Sequence, residues 1–253
     1  MRTLEMTFPS TSPIASFDKR FMVFDFPFLF KNEAVVDKVL AGPFGQKMLK
    51  NLSDNGIVGL TFSENGFRDL TNSKREVAKL EDFKGLKIRT MQNPIHLEVF
   101  KLLGANPTPM AFGEVFPALQ QGTIDGQENP IATINANKLY AVQKYLNHSH
   151  HVYPPFIRIK KKKLWDQLPP EDQKMIQEAA IEGAKVTTAT NRKQAGEMIP
   201  DLEKKGMKVS KISDADLAKI QEAIKPVYDK YKTQVGAPLF DEMLAEIKKA
   251  EGK

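Results

Sequence analysis

Between polar runs, the apolar residues of the first third of the chain recur at helical spacing. Behind Asn32, a good N-cap residue, Val35, Val36, Val39 and Leu40 share one face of a helix that ends near Gly42. A second helix starts near Pro43 with Met48, Leu49 and Leu52 inward, and Asn55-Gly56 closes it. "IVGLTFS" then reads as a short buried strand. Upstream, "FMVFDFPFLF" is rich in aromatics, but Pro27 interrupts it and makes it a poor central strand.

The same grammar continues downstream. "LKIRTM" predicts a strand, Asn93 and Pro94 the cap and first position of a helix, and Gly104 its terminator. "TPM" at 108–110 reads as a strand, "FGEVFPALQQG" as a helix, "TIDGQE" as a strand and "PIATINANKLYAVQKYL" as one helix. Strands alternating with helices predict an α/β fold with a largely parallel sheet. The texture changes after "HVYPPFIRI": from "PPEDQKMIQ" to "LEKKG" runs a single helical pattern of about nine turns, with Pro200 inside it. So long a helix exceeds the needs of one small domain and suits a chain of two lobes. "MKVSKI" reads as a strand, followed by two amphipathic helices, "DADLAKIQEAIKPVYDKYKTQV" and "APLFDEMLAEIKKA". No internal repeat is present.

Composition narrows the function. The 253 residues are 41% hydrophobic and 27% charged, the balance of a globular protein, and no apolar run is long enough to span a bilayer. The net charge of +6 is carried mostly by lysines. Arginines interleaved with aromatics are missing, so the excess reads as a solvated surface and not as a nucleic-acid footprint. The absence of cysteine excludes disulfides, a thiolate nucleophile and cysteine-based metal sites. "MRTLEMTFPSTSPIASF" has neither the apolar core nor the cleavage site of an export signal.

Few residues suggest chemistry. Asp125 and Glu128 invite a paired-carboxylate reading, but in a strand they point to opposite faces, and a hydrogen-bonding role suits them better. His148, His150 and His151 form "HSHH", with no carboxylate at ligand spacing and His96 the one remaining histidine, so no metal is expected. No phosphate loop, nucleophile elbow or HExxH motif appears. Arg89 differs. It lies near the C-terminal end of a strand, where open α/β sheets bind ligands, and a guanidinium there can grip a carboxylate with two bonds. From spacing alone, an arginine paired with a structural acid is an equal reading.

The blocks "ENGFRDLTNSK", "DFKGLKIRTMQNP", "LGANPTPMAFGEVFPALQQGTIDGQENP" and "KLYAVQKYL" resemble, in order, the solute-binding proteins of TRAP transporters, of the DctP type. "VFDFPFLF" and "GPFGQKML" extend the resemblance upstream. It implies an α/β, two-lobed periplasmic-binding-protein-like fold with a long helix spanning both lobes. The lobes implied are 1–65 with 155–194, and 66–154 with 195–253. It implies periplasmic delivery of an organic acid, C4-dicarboxylates being one class, to a membrane permease driven by an ion gradient. Neither a cofactor nor catalysis is implied. The carboxylate-gripping arginine falls on Arg89, a second on Arg68, the ligand asparagine on Asn129 and the pocket aromatic on Phe112; Glu64 and Gln127 complete the set.

In one respect the chain departs from the family pattern. Members begin with a signal peptide and further βα units, so the N-terminal lobe is expected to be incomplete. The bound acid stays open among dicarboxylates, sugar acids, keto acids and aromatic acids. An enzyme of small carboxylates, using Asp125 or Glu128 with Arg89 as anchor, is the alternative from another class; a sensor using the same pocket is a third.

Overall fold

The computed structural model describes residues 4–252; the first three residues of the stretch read for an export signal lie outside them. β1 (Met6–Thr7) leads into two 3-10 segments, Ser12–Ser16 and Lys19–Asp25. The aromatic-rich stretch is therefore no strand: Phe21, Met22, Val23 and Phe24 are all buried in a tight helical coil that Asp18 caps at Arg20 N–H. α1 (Glu33–Ala41) starts where Asn32 Oδ1 accepts from Val35 N–H at 3.1 Å. α2 (Pro43–Asn51) ends in a 3-10 turn closed by Gly56 in the left-handed region, and β2 (Ile57–Ser63) follows.

The second half of the architecture begins with β3 (Arg68–Asn72), β4 (Lys87–Thr90), α3 (Pro94–Leu102) and β5 (Asn106–Pro109). Next come α4 (Val115–Gln120), β6 (Gly126–Pro130), α5 (Ile131–Ala136), β7 (Tyr145–Asn147) and β8 (Phe156–Lys161). After α6 (Lys162–Trp165), α7 (Pro170–Lys204) runs 35 residues, about 52 Å at the usual rise. β9 (Lys208–Ser210), α8 (Asp214–Ile224), α9 (Pro226–Val235) and α10 (Ala237–Ala250) finish the chain.

The strands form a three-stranded sheet, β1-β8-β2, and a six-stranded sheet, β5-β4-β6-β3-β7-β9. The expected parallel character holds only for β4 with β5 and β6, and for β7 with β9. β3 runs antiparallel to β6 and β7, and the smaller sheet is antiparallel throughout. The departure comes from β3, which lies between β6 and β7 and runs opposite to both; in the connection from β6 to β7, the helix expected over 130–146 stops at Ala136 and becomes a 3-10 turn and a strand. Lys138, in the left-handed region, marks the break. Pro226 likewise splits the first of the two expected C-terminal helices into α8 and α9, since it has no N–H to donate back.

Two cores hold this together. The larger gathers Phe21, Phe24, Phe26, Val36, Phe44 and Met48 with Ile88, Ile95, Val227, Phe240 and Met243. The smaller gathers Val115, Leu119, Ile131, Ile134 and Leu146 under the end of α7, with Leu202. α7 is tied to both regions. Gln177 donates to Leu60 O at 2.8 Å and Asn191 to Glu64 O at 2.9 Å, while Lys205, just beyond the helix, reaches Asn135 Oδ1 at 2.8 Å.

Candidate functional site

The register of the large sheet decides where its polar side chains meet. Glu128 stands opposite Leu70, two residues along β3 from Arg68 and on the same face. There Arg68 Nε and Nη2 grip the Glu128 carboxylate from one edge, Nη2 to Oε1 at 2.9 Å, and Nη2 also donates to the Glu128 carbonyl. Both side chains are fully buried. Burial alone would raise the Glu128 pKa, yet Arg68 holds it well below the ordinary carboxylate range. His151 Nε2 stands 3.4 Å from Glu128 Oε2, within ion-pair reach but without hydrogen-bond geometry.

Arg89 stands opposite Gln127 in the parallel pairing of β4 with β6. Its Nε and Nη2 both donate to Met110 O, at 3.0 and 2.7 Å, which fixes the guanidinium plane. Its Nη1 is buried without a hydrogen-bond partner. By proton count, the end-on edge made by Nη1 and the second Nη2 hydrogen is left for an acceptor. No carboxylate among the described residues forms an ion pair with it, and Phe112 lies beside it, ring centroid 6.0 Å from Cζ. Burial pushes the Arg89 pKa down to about 10; Glu128 pulls against that shift and Arg68 adds to it.

Asn129 is held by a chain of amides and hydroxyls. Its Nδ2 donates to Gln127 Oε1, Gln127 Nε2 donates to Thr71 Oγ1 at 2.9 Å, and Thr71 donates to Gln143 Oε1 at 2.8 Å. Arg68, Arg89, Phe112 and Asn129 line one cavity of about 400 Å³. The structure thus brings four of the six expected site residues together. Gln127 lies behind Asn129 as its support. Glu64 lies elsewhere, buried and paired with Arg192 at 2.8 Å. Burial raises the Glu64 pKa against the pull of Tyr153 and Arg192.

Sequence reasoning missed the opposite wall, Phe8, Ser10, Pro13 and Phe156, with Asn65, Met91 and Gln92 at the sides. Phe8 and Phe156 meet edge-on at 6.1 Å, and "VYPPF" carried the one visible signal, an aromatic next to a proline pair. Asp125 has the hydrogen-bonding role expected of it, though outside the strand: it precedes β6, and its Oδ2 accepts from Lys87 N–H at 2.9 Å, so it ties strand ends together. "HSHH" has no carboxylate at ligand spacing along the chain, but the fold supplies one from elsewhere. Asp69 arrives from β3, with Oδ2 at 3.3 Å from His148 Nδ1 and Oδ1 at 3.5 Å from His150 Nδ1. Spacing along the chain could not reveal a donor that the sheet supplies from about eighty residues away.

A buried, fixed guanidinium without its own acid, facing a cavity, is a setting that suits an anionic small molecule. Comparison with known proteins is more specific. Residues 1–234 match DctP, bacterial extracellular solute-binding protein, family 7, and the chain belongs to that family. It is 43% identical over 241 residues to a solute-binding protein of Verminephrobacter eiseniae, covering 95% of this chain and 71% of that one. It is 35% identical to the 2,3-diketo-L-gulonate-binding periplasmic protein YiaO of Escherichia coli, covering 88% of this chain and 67% of that one. The crystal structure of the sugar acid binding protein DctPAm of Advenella mimigardefordensis, in complex with galactonate, superposes with a TM-score of 0.95 at 44% identity, over 97% of this chain and 79% of that one. The fold is the two-lobed α/β fold of TRAP periplasmic binding proteins, with its long helix.

Proposed function

We propose that this chain binds an organic acid in the cavity over Arg89 and delivers it, in the periplasm, to the membrane permease of a TRAP transporter. The observation that carries the reading is Arg89 Nη1, buried and without a partner at the wall of a cavity of about 400 Å³. Arg68 spends its charge on Glu128, so the cavity presents one uncompensated positive charge. One carboxylate matches it. Asn129, Gln92 and Ser10 offer hydrogen bonds to hydroxyl groups, while Phe8, Phe112 and Phe156 offer apolar faces. A hydroxylated monocarboxylate, such as a sugar acid, suits that mixture. The galactonate bound by the Advenella protein supports this class over a C4-dicarboxylate.

The cavity draws its walls from 1–65 with Phe156 and from 66–154, as two facing lobes would, whereas α9 and α10, which the expected division gives to the second lobe, pack against Lys19–Asp25, and α10 against α1 and α2. Within the expected site, Arg89, Arg68, Asn129 and Phe112 touch the ligand, Gln127 positions Asn129, and Glu64 anchors α7 through Arg192. The role is carriage without turnover: the Glu128 carboxylate is taken up by Arg68 and that of Asp125 by a backbone amide, so neither is poised as acid or base.

A thermal-shift screen of a carboxylate library tests the reading. Ligand at about 100 times its Kd adds roughly 2.7 kcal/mol to stability, a clear shift. The hit's methyl ester is expected to give no shift. Arg89→Ala and Arg89→Lys are both expected to fold and to lose binding by a hundredfold or more, about 3 kcal/mol, because neither reproduces the two-bond grip. Equal binding of acid and ester, or wild-type affinity in either variant, removes Arg89 from the site.

A further inference from the structure

The family reading leaves Asp69, His148 and His150 unused. Among the described residues they form the one group of at least three histidine, aspartate or glutamate side chains whose donor atoms all lie within 4.8 Å of one another. Each imidazole presents Nδ1 to a different oxygen of the same carboxylate, at 3.3 and 3.5 Å. Ligand bonds of about 2.0–2.1 Å in a tetrahedron put neighbouring donors about 3.3–3.4 Å apart; the two histidine–carboxylate separations are close to that, and the remaining one lies within 4.8 Å, so small side-chain adjustments would close the three around an ion.

We propose that Asp69, His148 and His150 form a binding site for a divalent transition-metal ion of the zinc class, separate from the acid-binding cavity. Two imidazole nitrogens and one carboxylate suit Zn²⁺ or its neighbours, whereas Ca²⁺ and Mg²⁺ require oxygen ligands.

Three observations beyond the donor set support this. Asp69 is buried in β3, and its Oδ1 also accepts the His150 backbone N–H at 3.0 Å, so the carboxylate is fixed before any ion arrives. His150 holds a left-handed backbone, φ +45°, a conformation costly for a non-glycine residue and commonest where a side chain must be aimed. Its ring also packs on Phe67, centroids 5.2 Å apart, and stands perpendicular to the His148 ring at 4.0 Å. Both histidines border a cavity of about 490 Å³ that shares only Asn65 with the cavity over Arg89. A fourth coordination position therefore opens toward solvent, and the acid can bind with or without the ion.

The experiment uses chain freed of metal with a chelator and titrated calorimetrically with Zn²⁺, with Mg²⁺ as control, and with Co²⁺ followed by visible absorption. The variants are His148→Ala, His150→Asn (asparagine tolerates the left-handed backbone) and the double variant. The remaining histidines, His96 and His151, are buried, so the double variant reports background. Expected are one Zn²⁺ per chain, no Mg²⁺ binding, the d–d bands of low-coordinate Co²⁺, and a loss of at least about tenfold in each single variant. Zn²⁺ binding no tighter in wild type than in the folded double variant, or unchanged in both single variants, overturns the assignment.

Discussion

Arg89 and Arg68 are both guanidiniums on strands of one sheet, and their different partners give them different tasks. Arg68 has an acid of its own; Arg89 has a carbonyl and an empty edge. Anion binding raises the Arg89 pKa from about 10 in the free chain, so affinity is fully present below that value and is lost as pH rises through and above it. Affinity measured by calorimetry is expected to be flat from about pH 6 to 8 and to have fallen clearly by about pH 10.5. Glu128→Gln is expected to cost about 3 kcal/mol in urea melts, because it leaves the Arg68 charge buried and unpaired. The same carboxylate has a depressed pKa, so its contribution is present above its ordinary value of 4.5 and declines as pH falls below that. The variant is expected to show a shallower acid-side decline. Arg89 was visible in the sequence as a strand-end arginine. The partner that neutralises Arg68 was not, because only the antiparallel register of β3 against β6 puts Glu128 within its reach.

Elements with strong local signals could be read from the sequence, and those shaped by neighbours could not. Asn32 and Asn93 cap α1 and α3, as their residue type and the apolar pattern behind them indicate. The stretch from 130 to 146 fails as a continuous helix because Tyr145 and Leu146 find strand partners in β3 and β9. The segment "GTIDGQENP" shows the same tension. Its strand covers Gly126–Pro130, later than its apolar residues suggest, because β3 and β4 on either side recruit polar residues into the ladder. Gly126 makes this possible: a Cβ there would stand 2.2 Å from Thr71 O and 3.0 Å from Ile88 Cδ1. Gly126→Ala must push β6 away from β3, and with it Gln127 and Asn129. The expected result is a loss of about 2 kcal/mol or more in denaturant melts, together with weakened acid binding. Wild-type stability would show that the sheet yields at this point.

At the scale of the whole molecule, the two sheets and the wall residues that the sequence did not reveal depend on contacts between distant segments. Phe8 and Phe156 share a cavity with Arg89 only because the small sheet stands across it from the large one. The long pattern from 170 to 204 is the exception, since its period alone marked it as one helix. That helix is fastened to the small sheet's side along 177–192 and to α5 by Lys205, just past its end. Pro200 lies between the fastenings. Lacking an N–H, it leaves the Gly196 carbonyl without its bond, at a residue that itself contributes little helical stiffness. Mechanically, α7 is a beam clamped at two stations and notched between them, so flexing imposed by either sheet concentrates in one turn. Pro200→Ala would fill the notch. Hydrogen exchange is expected to slow in the amides of 196–204, while those of 177–192 keep their wild-type rates.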